Sequence, residues 1–186
     1  MADRLVGRRV AILAADGVER VELVEPRDTV QAEGAFTELL SLTPGEIQST
    51  DHDIYPAGRF GVDRPVSDAR IDDYDALILP GGAVNPDHLR RDAGAVAFVH
   101  DFVSAGKPVG AICHAPWTLV EADVVRGRRI TSYPSMRTDV RNAGGLVVDE
   151  PVVVDDALVS SRGPYDLPAF CAAIVDVFET TSASAL

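Results

Sequence analysis

Two short apolar runs constrain the fold of this chain more than any other feature of its sequence. Ala76–Leu79 and Val109–Ile112 carry no polar side chain. Strands of this kind are usually buried on both faces, as in a parallel sheet that helices cover on each side. Residues 9–14, 36–42 and 158–160 are further β-rich segments. The sequence therefore predicts a mostly parallel sheet.

Helical patterns separate these strands. Apolar residues recur at helical spacing, mostly between glycine or proline boundaries, in residues 18–33, 93–105, 115–121, 135–143 and 167–180. Strands that alternate with helices favour crossover connections between parallel strands. We therefore expect a single-domain α/β fold of the flavodoxin-like kind, a three-layer sandwich with helices on both faces of the sheet.

Two segments interrupt the alternation and are interpreted as additions to the sheet. Residues 46–48 and 60–62 are predicted to form a hairpin or lid. Residues 147–148 are predicted to pair with residues 152–154 at an edge, around Pro151.

Size and charge exclude several classes of protein. At 186 residues the chain fits one domain, 1–186, with a small polar tail at 180–186 that is expected to fray. Seventeen basic and 29 acidic residues give a formal charge of −12, which argues against nucleic acid and anionic membranes as partners. The start lacks a signal-peptide pattern and no apolar run could cross a bilayer, so a soluble cytoplasmic protein with free thiols is expected.

Cys113 is the leading candidate for chemistry. It follows an apolar strand, and Pro116 then stands where the first turn of a helix commonly has proline. A thiol at such a turn faces the positive end of the helix dipole, which favours the thiolate, and it resembles in position the nucleophile elbow of α/β hydrolases. An isolated cysteine is more often a buried apolar residue. We interpret Cys171, on an apolar helix face, in that way and Cys113 as a reactive thiol.

A second turn is expected to open on the same crevice. Gly81 and Gly82 follow the other buried strand, and the backbone N–H groups of adjacent glycines allow the close approach that an oxyanion site requires. A tight turn is the simpler interpretation, but the position at the end of a buried strand favours a site. Beyond it, Asn85 is predicted to cap a helix with Pro86 and Asp87 in its first turn.

Glu22 is the third candidate. It lies beside the apolar face of the helix predicted at 18–33, where a carboxylate without a partner is costly. Pro26, four residues later, has no N–H for the Glu22 carbonyl and is expected to loosen the helix there. A solvated carboxylate is the simpler interpretation. His52, between two acids in a segment interpreted as a loop, lacks a fixed ligand geometry, so neither a metal nor a cofactor is predicted.

Together these segments resemble the PfpI-type branch of the DJ-1/PfpI superfamily, the relatives of intracellular proteases and bacterial general stress proteins. The resemblance covers nearly the whole chain and rests on residues 11–22, 79–82, 85–87, 111–117, 131–145 and 166–170. It implies a fold related to class I glutamine amidotransferases, no cofactor, and a homodimer or larger homo-oligomer with the pocket near an interface. An amidotransferase itself is excluded, because no histidine follows His114.

The resemblance also implies roles for individual residues. Cys113 would be the nucleophile and redox-sensitive thiol, with Glu22 hydrogen-bonded to its sulfur. His114 would be the adjacent catalytic histidine, although on the residues alone its side chain could equally point away from the sulfur. Gly82 and His114 would supply the oxyanion N–H groups in a turn that includes Gly81.

Three further residues are implied in the same way. Asp87 occupies the place of an acid that completes the site from a neighbouring subunit in the protease subset. Ala115, where the family usually has glycine, would narrow the pocket floor. Tyr133, where relatives often carry tryptophan, would line the pocket, or is simply a packed aromatic residue.

The predicted function is a stress-protective cysteine enzyme acting on carbonyl substrates, either a small carbonyl compound or a peptide. Peptidase, glyoxalase and deglycase chemistry are all compatible with attack by Cys113 on a carbonyl carbon. The alternative is a peroxide-sensing stress protein in which Glu22 stabilises an oxidised, sulfinic Cys113 without turnover.

Overall fold

Twelve strands are arranged in three sheets in the computed structural model, which describes residues 3–180. The strands are β1 (Arg9–Leu13), β2 (Val18–Glu19), β3 (Phe36–Ser41), β4 (Gly45–Asp51), β5 (Tyr55–Val62), β6 (Arg64–Pro65), β7 (Ala76–Leu79), β8 (Val109–Ile112), β9 (Arg129–Ile130), β10 (Leu146–Val147), β11 (Val152–Asp155) and β12 (Leu158–Ser161). Seven of them form the central sheet in the order β11-β12-β8-β7-β1-β3-β6. Only the β11–β12 pair in this sheet is antiparallel.

Helices cover both faces of the central sheet. They are α1 (Arg20–Ala32), α2 (Val84–Leu89), α3 (Ala93–Ser104), α4 (Pro116–Glu121), α5 (Arg137–Asn142) and α6 (Leu167–Thr180). Successive side chains of a strand point to opposite faces. Accordingly Val10 and Ile12 of β1 pack with α1 and α6, whereas Ala11 and Leu13 pack with α3, α4 and α5. The three-layer α/β sandwich predicted from the sequence is confirmed.

Local patterns located most elements closely. The strands predicted at 76–79 and 109–112 coincide with β7 and β8, and the other three predicted strands end within a residue of β1, β3 and β12. The helix predicted at 18–33 begins two residues later, because Val18 and Glu19 pair with β4 as β2. Helix α1 then continues through Pro26. No helix within residues 3–180 is long and apolar enough to span a bilayer.

The predicted hairpin is confirmed, and the predicted edge pair is wrong. Strands β4 and β5 pair as an antiparallel hairpin that joins β2 in a separate sheet. Residues 147–148 do not pair with 152–154: β10 lies parallel to β9, whereas β11 pairs with β12. The tight turn at Asp156, which has a positive φ of 54°, lets β11 pair with β12, the next strand in the chain. Strand β10 therefore pairs with β9. The tail at 180–186 lies outside the described residues except for Thr180.

Candidate active site

The turns that were predicted to carry chemistry lie at the carboxyl edge of the central sheet. From β1 the chain continues to β3 on one side, and β7, β8 and β12 follow on the other side. Such a switch in direction leaves a crevice outside the carboxyl ends of parallel strands, where ligands bind in α/β proteins. Gly81 and Gly82 come after β7, and Cys113 comes after β8. The fold therefore brings both turns to one crevice.

Cys113 occupies a strained turn between β8 and α4. Its φ is +64°, a left-handed conformation that costs energy for any residue with a Cβ. The turn is held because the Cys113 N–H donates to the Ser161 carbonyl at 3.0 Å and its carbonyl accepts from the Tyr133 N–H at 3.0 Å. Pro116 opens α4 as predicted. Cys113 is a free, buried thiol, 2% exposed, in the geometry of a nucleophile elbow.

Glu22 lies buried against this thiol. Its side chain is completely inaccessible, and Oε2 accepts from the Gly81 N–H at 3.0 Å. The other oxygen has no hydrogen-bond partner among the described residues. The carboxyl lies close to Cys113, since a Cβ built on Gly81 would lie 2.4 Å from Glu22 Oε2 and 2.5 Å from Cys113 Cβ. Burial raises the pKa of Glu22 to about 8, which the nearby charge of Glu19 reinforces. The interpretation as a solvated carboxylate is wrong, and Glu22 is largely protonated near neutral pH.

The thiol of Cys113 is not acidified in the way that its position next to a helix predicted. Burial raises its pKa, the Glu22 charge adds to the increase, and a hydrogen bond from the Gly82 N–H opposes it. Helix α4 has only six residues, so its dipole is weak compared with the cost of burying an anion. Because the two acids are in contact, they ionise as one coupled pair. When Glu22 is protonated, it carries no negative charge to oppose ionisation of the thiol. A Cys113 thiolate is therefore compatible with a protonated Glu22.

His114 points at the sulfur. Its Nδ1 is 3.2 Å from Cys113 Sγ, and its Nε2 is 3.4 Å from Ser135 Oγ. The ring stacks on Tyr133, with centroids 4.5 Å apart. Burial lowers the pKa of His114, partly offset by the charge of Asp53, so the imidazole is neutral near pH 7. The alternative that this side chain points away from the sulfur is wrong.

Two backbone N–H groups are available beside the thiol. Gly82 has a φ of +85°, and a Cβ there would lie 2.4 Å from the Gly17 carbonyl oxygen, so only glycine fits. Its N–H reaches the Cys113 sulfur. Within residues 3–180 the His114 N–H has no acceptor, whereas the Ala115 N–H donates to Ile112. This is the arrangement of donors that an oxyanion requires.

Ala115 and Asn85 take positions other than those predicted, whereas Asp87 lies in the first turn of α2 as predicted. Ala115 is buried in the core on the α3 side of the sheet, so its methyl packs against apolar side chains and does not line the crevice as predicted. Asp87 is exposed on α2, away from any hydrogen-bond or ion-pair partner among the described residues. Asn85 does not cap α2, because that helix begins at Val84.

Asn85 is instead a buried crosslink. Its Oδ1 accepts from the Ala15 N–H at 2.7 Å, and its Nδ2 donates to the carbonyls of Pro80 and Gly81 at 2.9 and 3.0 Å. The side chain has no solvent exposure. It therefore ties the end of β1 to the turn that carries Gly82.

Asp53 was not among the residues predicted from the sequence. This residue lies between β4 and β5, yet its Oδ1 accepts from the Ala83 N–H at 2.9 Å, next to the glycine turn. Its charge acts on Cys113, Glu22 and His114. In the sequence Asp53 is one polar residue of a loop, and this position does not predict which part of the protein the loop contacts. No group of three or more metal-binding side chains occurs in the described part of the chain.

The fold and the site define a class: an α/β protein with a cysteine nucleophile elbow whose thiol contacts a buried glutamic acid. The DJ-1/PfpI family model matches residues 8–177, and the chain belongs to this family. It is 40% identical over 171 residues to protein/nucleic acid deglycase 2 of Escherichia coli, covering 89% of this chain and 94% of the relative. It is 42% identical over 166 residues to a deglycase of Pyrococcus abyssi, covering 87% and 94%.

Solved structures agree with this assignment. The DJ-1/ThiJ/PfpI-like part of a two-domain protein from Anabaena variabilis matches with a TM-score of 0.86 and 31% identity over 95% of this chain. This chain spans about half of that protein, 52%, which also contains a ferritin-like domain. Drosophila melanogaster DJ-1beta matches with a TM-score of 0.83 and 24% identity, covering 97% of this chain and 92% of DJ-1beta. The predicted family and fold are confirmed.

Proposed function

We propose that this protein is a cysteine-dependent enzyme that converts 2-oxoaldehydes, or their adducts with amines, to 2-hydroxy acids. The observation that carries the proposal is the contact of the Cys113 thiol with a buried, protonatable Glu22, beside the N–H groups of Gly82 and His114. Such a reaction needs a nucleophile, an oxyanion site and a group that moves a proton between adjacent carbons. Relatives named as deglycases support this substrate class.

The first step is attack of the Cys113 sulfur on the aldehyde carbon. A carbon–sulfur bond forms, and the carbonyl electron pair moves to oxygen, which the N–H groups of Gly82 and His114 stabilise. The oxygen then takes up the proton of Glu22 to give a hemithioacetal, which leaves Glu22 as a carboxylate. With an amine adduct the sulfur displaces the amine: the carbon–sulfur bond forms, the carbon–nitrogen bond breaks, and the nitrogen takes up the proton of Glu22.

The second step belongs to Glu22. Its carboxylate removes the proton from the hemithioacetal carbon and returns it to the neighbouring ketone carbon. The hemithioacetal hydroxyl proton passes to the ketone oxygen, so that the product is a thioester of a 2-hydroxy acid. The aldehyde carbon is oxidised and the ketone carbon reduced within one molecule, so no external oxidant is needed. A pKa of about 8 suits a group that must both accept and donate a proton near neutral pH. Water then cleaves the thioester and restores the thiol.

The test measures 2-hydroxy acid formation by NMR from methylglyoxal and, separately, from its preformed adduct with N-acetyl-lysine. We expect Cys113→Ser to abolish product and Glu22→Gln to lower kcat by about a hundredfold or more. Cys171→Ser, which changes a buried thiol on α6, is the matched control and should retain activity. Equal product formation by wild type and Cys113→Ser would sink the proposal.

Comparison of the two substrates separates glyoxalase from deglycase chemistry. Turnover of the adduct after free aldehyde has been scavenged indicates a deglycase, and turnover of the free aldehyde alone indicates a glyoxalase. Cleavage of an unmodified peptide, offered as a third substrate, without formation of a 2-hydroxy acid would indicate a peptidase. The formal charge of −12 favours small or protein-borne adducts over those on nucleic acid.

A peroxide sensor is the second candidate function. A protonated Glu22 in contact with the sulfur could donate a hydrogen bond to a sulfinate oxygen and stabilise the oxidised form. Intact mass after graded peroxide treatment would show selective addition of two oxygen atoms at Cys113 and not at Cys171. Selective oxidation of a protein without oxoaldehyde turnover favours the sensor, whereas turnover that requires Cys113 favours the enzyme.

An acid supplied by a second subunit remains part of the proposal. Asp87 is exposed and has no partner within residues 3–180, as expected for a group that acts across an interface between copies of this chain. Light scattering tests for a homodimer or larger oligomer. If the acid acts in trans, mixing inactive Cys113→Ser subunits with Asp87→Asn subunits should restore activity to the mixture.

A further inference from the structure

Asp53 reaches the active site from outside the central sheet. It lies in the connection between β4 and β5, and its Oδ1 accepts the Ala83 N–H at 2.9 Å. Ala83 follows Gly82, whose N–H is one of the two donors that face the reacting oxygen in the proposed function. Asp53 is therefore one peptide away from the oxyanion site.

The loop that carries Asp53 is held in an unfavourable backbone conformation. His52 and Asp53 have φ values of +56° and +62°, and two consecutive left-handed residues that are not glycine are unusual. The buried carboxylate of Glu19 accepts both of their N–H groups, at 3.2 and 2.9 Å. One carboxylate thus fixes the loop at the position that presents Asp53 to Ala83.

Glu19 also helps to hold the peptide group that contains the Gly82 N–H, together with Asn85. The Glu19 N–H donates to the Gly81 carbonyl at 3.2 Å, and Asn85 Nδ2 donates to it at 3.0 Å. A trans peptide is planar, so its C=O and N–H point in opposite directions. Holding the Gly81 carbonyl on one side therefore directs the Gly82 N–H to the other side, toward Cys113.

Asp53 fixes the next peptide group along the chain. The hydrogen bond from the Ala83 N–H to Asp53 holds the peptide group after Gly82, and the bonds to the Gly81 carbonyl hold the peptide group before it. The turn has little room to adjust, since a Cβ on Gly82 would lie 2.7 Å from the Glu19 nitrogen.

We infer that Asp53 is a positioning residue that holds the Gly82 N–H in line with the Cys113 sulfur through the Ala83 peptide. The inference rests on the proposed function for its catalytic consequence, but the positioning itself does not depend on turnover. The charged or titratable groups that face Asp53 are Glu19, Glu22, Cys113 and His114, and removing its charge should make the two acids Glu22 and Cys113 easier to ionise.

Two substitutions separate the hydrogen bond from the charge. Asp53→Asn keeps an oxygen that can accept from Ala83 and removes the charge, whereas Asp53→Ala removes both. Asp51→Asn is the matched control, because Asp51 lies in the same hairpin and its carboxylate pairs with Arg20 on the surface. Hydrogen exchange of the Ala83 amide, the pH profile of Cys113 alkylation by iodoacetamide, and kcat with KM for methylglyoxal are measured for all variants.

We expect Asp53→Ala to speed exchange of the Ala83 amide by about tenfold and to lower kcat by about tenfold, with little change in KM. Asp53→Asn should keep the exchange protection and most of kcat. Both should move the alkylation profile to lower pH, and Asp51→Asn should match wild type in every measurement.

Two results would overturn the inference. Wild-type Ala83 exchange in Asp53→Ala would show that Asp53 does not hold this peptide, and equal losses of kcat in Asp53→Ala and Asp53→Asn would show that only the charge matters. If wild type itself fails to turn over methylglyoxal, the proposed function fails. The exchange and alkylation measurements still decide the role of Asp53 in that case.

Discussion

The N–H of Gly81 donates to Glu22 Oε2 at 3.0 Å and holds that carboxyl against the Cys113 thiol. The contact leaves no space for a side chain at Gly81. A Cβ built there would lie 2.4 Å from Glu22 Oε2 and 2.5 Å from Cys113 Cβ. The Glu22 carboxyl and the Cys113 thiol can therefore lie this close together only because residue 81, between them, is glycine.

Replacing Gly81 by alanine should separate the two acids. We expect Gly81→Ala to lower the free energy of unfolding by about 1–3 kcal/mol, since overpacking forces the neighbouring groups apart. Oxoaldehyde turnover should fall by more than the loss of folded protein explains. Urea denaturation and kcat measured on the folded fraction test this. Gly61→Ala on β5 is the control, because nothing lies within 4 Å of a Cβ there.

Burial of Glu22 should make stability depend on pH. The pKa of Glu22 rises from an ordinary 4.5 to about 8 in the folded protein, so the folded state binds this proton more tightly than the unfolded state. The stabilisation is complete below the unfolded pKa and is lost as the pH rises through about 8. Each pKa unit is worth about 1.4 kcal/mol, so a change of a few kcal/mol is expected.

The measurement is urea denaturation between about pH 4 and pH 9, comparing wild type with Glu22→Gln, which has no ionisable group at this position. Wild type should lose stability relative to the variant as pH rises. A constant difference between the two proteins across this range would contradict a protonated Glu22 in the folded state.

Asn85 should contribute more to stability than its position in a short helix suggests. Asn85→Ala leaves the Ala15 N–H and the carbonyls of Pro80 and Gly81 without their buried partner. We expect a loss of about 3 kcal/mol or more in the free energy of unfolding. His88→Ala, at an exposed position of α2, should change it by less than about 0.5 kcal/mol. Similar small effects of both substitutions would argue against the crosslink.

Removing the aromatic cover of His114 should return its titration toward normal. Burial lowers the pKa of His114, and Tyr133 supplies one face of that environment. In Tyr133→Ala the ring becomes hydrated, so its pKa should rise toward the ordinary 6.5. NMR of the imidazole protons measures this directly. An unchanged midpoint would show that Tyr133 does not exclude water from the ring.

The element that carries the nucleophile could be predicted because it is coded locally. The apolar run of β8, the break at Cys113 and the proline at Pro116 are neighbours in the chain, and each acts through its own backbone conformation. The same holds for the turn at Gly81 and Gly82. The edge pair proposed around Pro151 failed because strand pairing depends on which other strand is available, and no local pattern records that.

The sequence alone thus determined the layered α/β architecture and the strand-to-helix turn at Cys113, since periodicity and backbone preference act over a few neighbouring residues. The tertiary structure decided the ionisation of the site. The pKa of Glu22 is raised to about 8 because folding removes the carboxyl from water. Burial also raises the pKa of Cys113 by more than the short helix, which was expected to acidify this thiol, can lower it. It also decided the role of Asp53, since only the folded hairpin brings this residue to the glycine turn, 30 residues further along the chain.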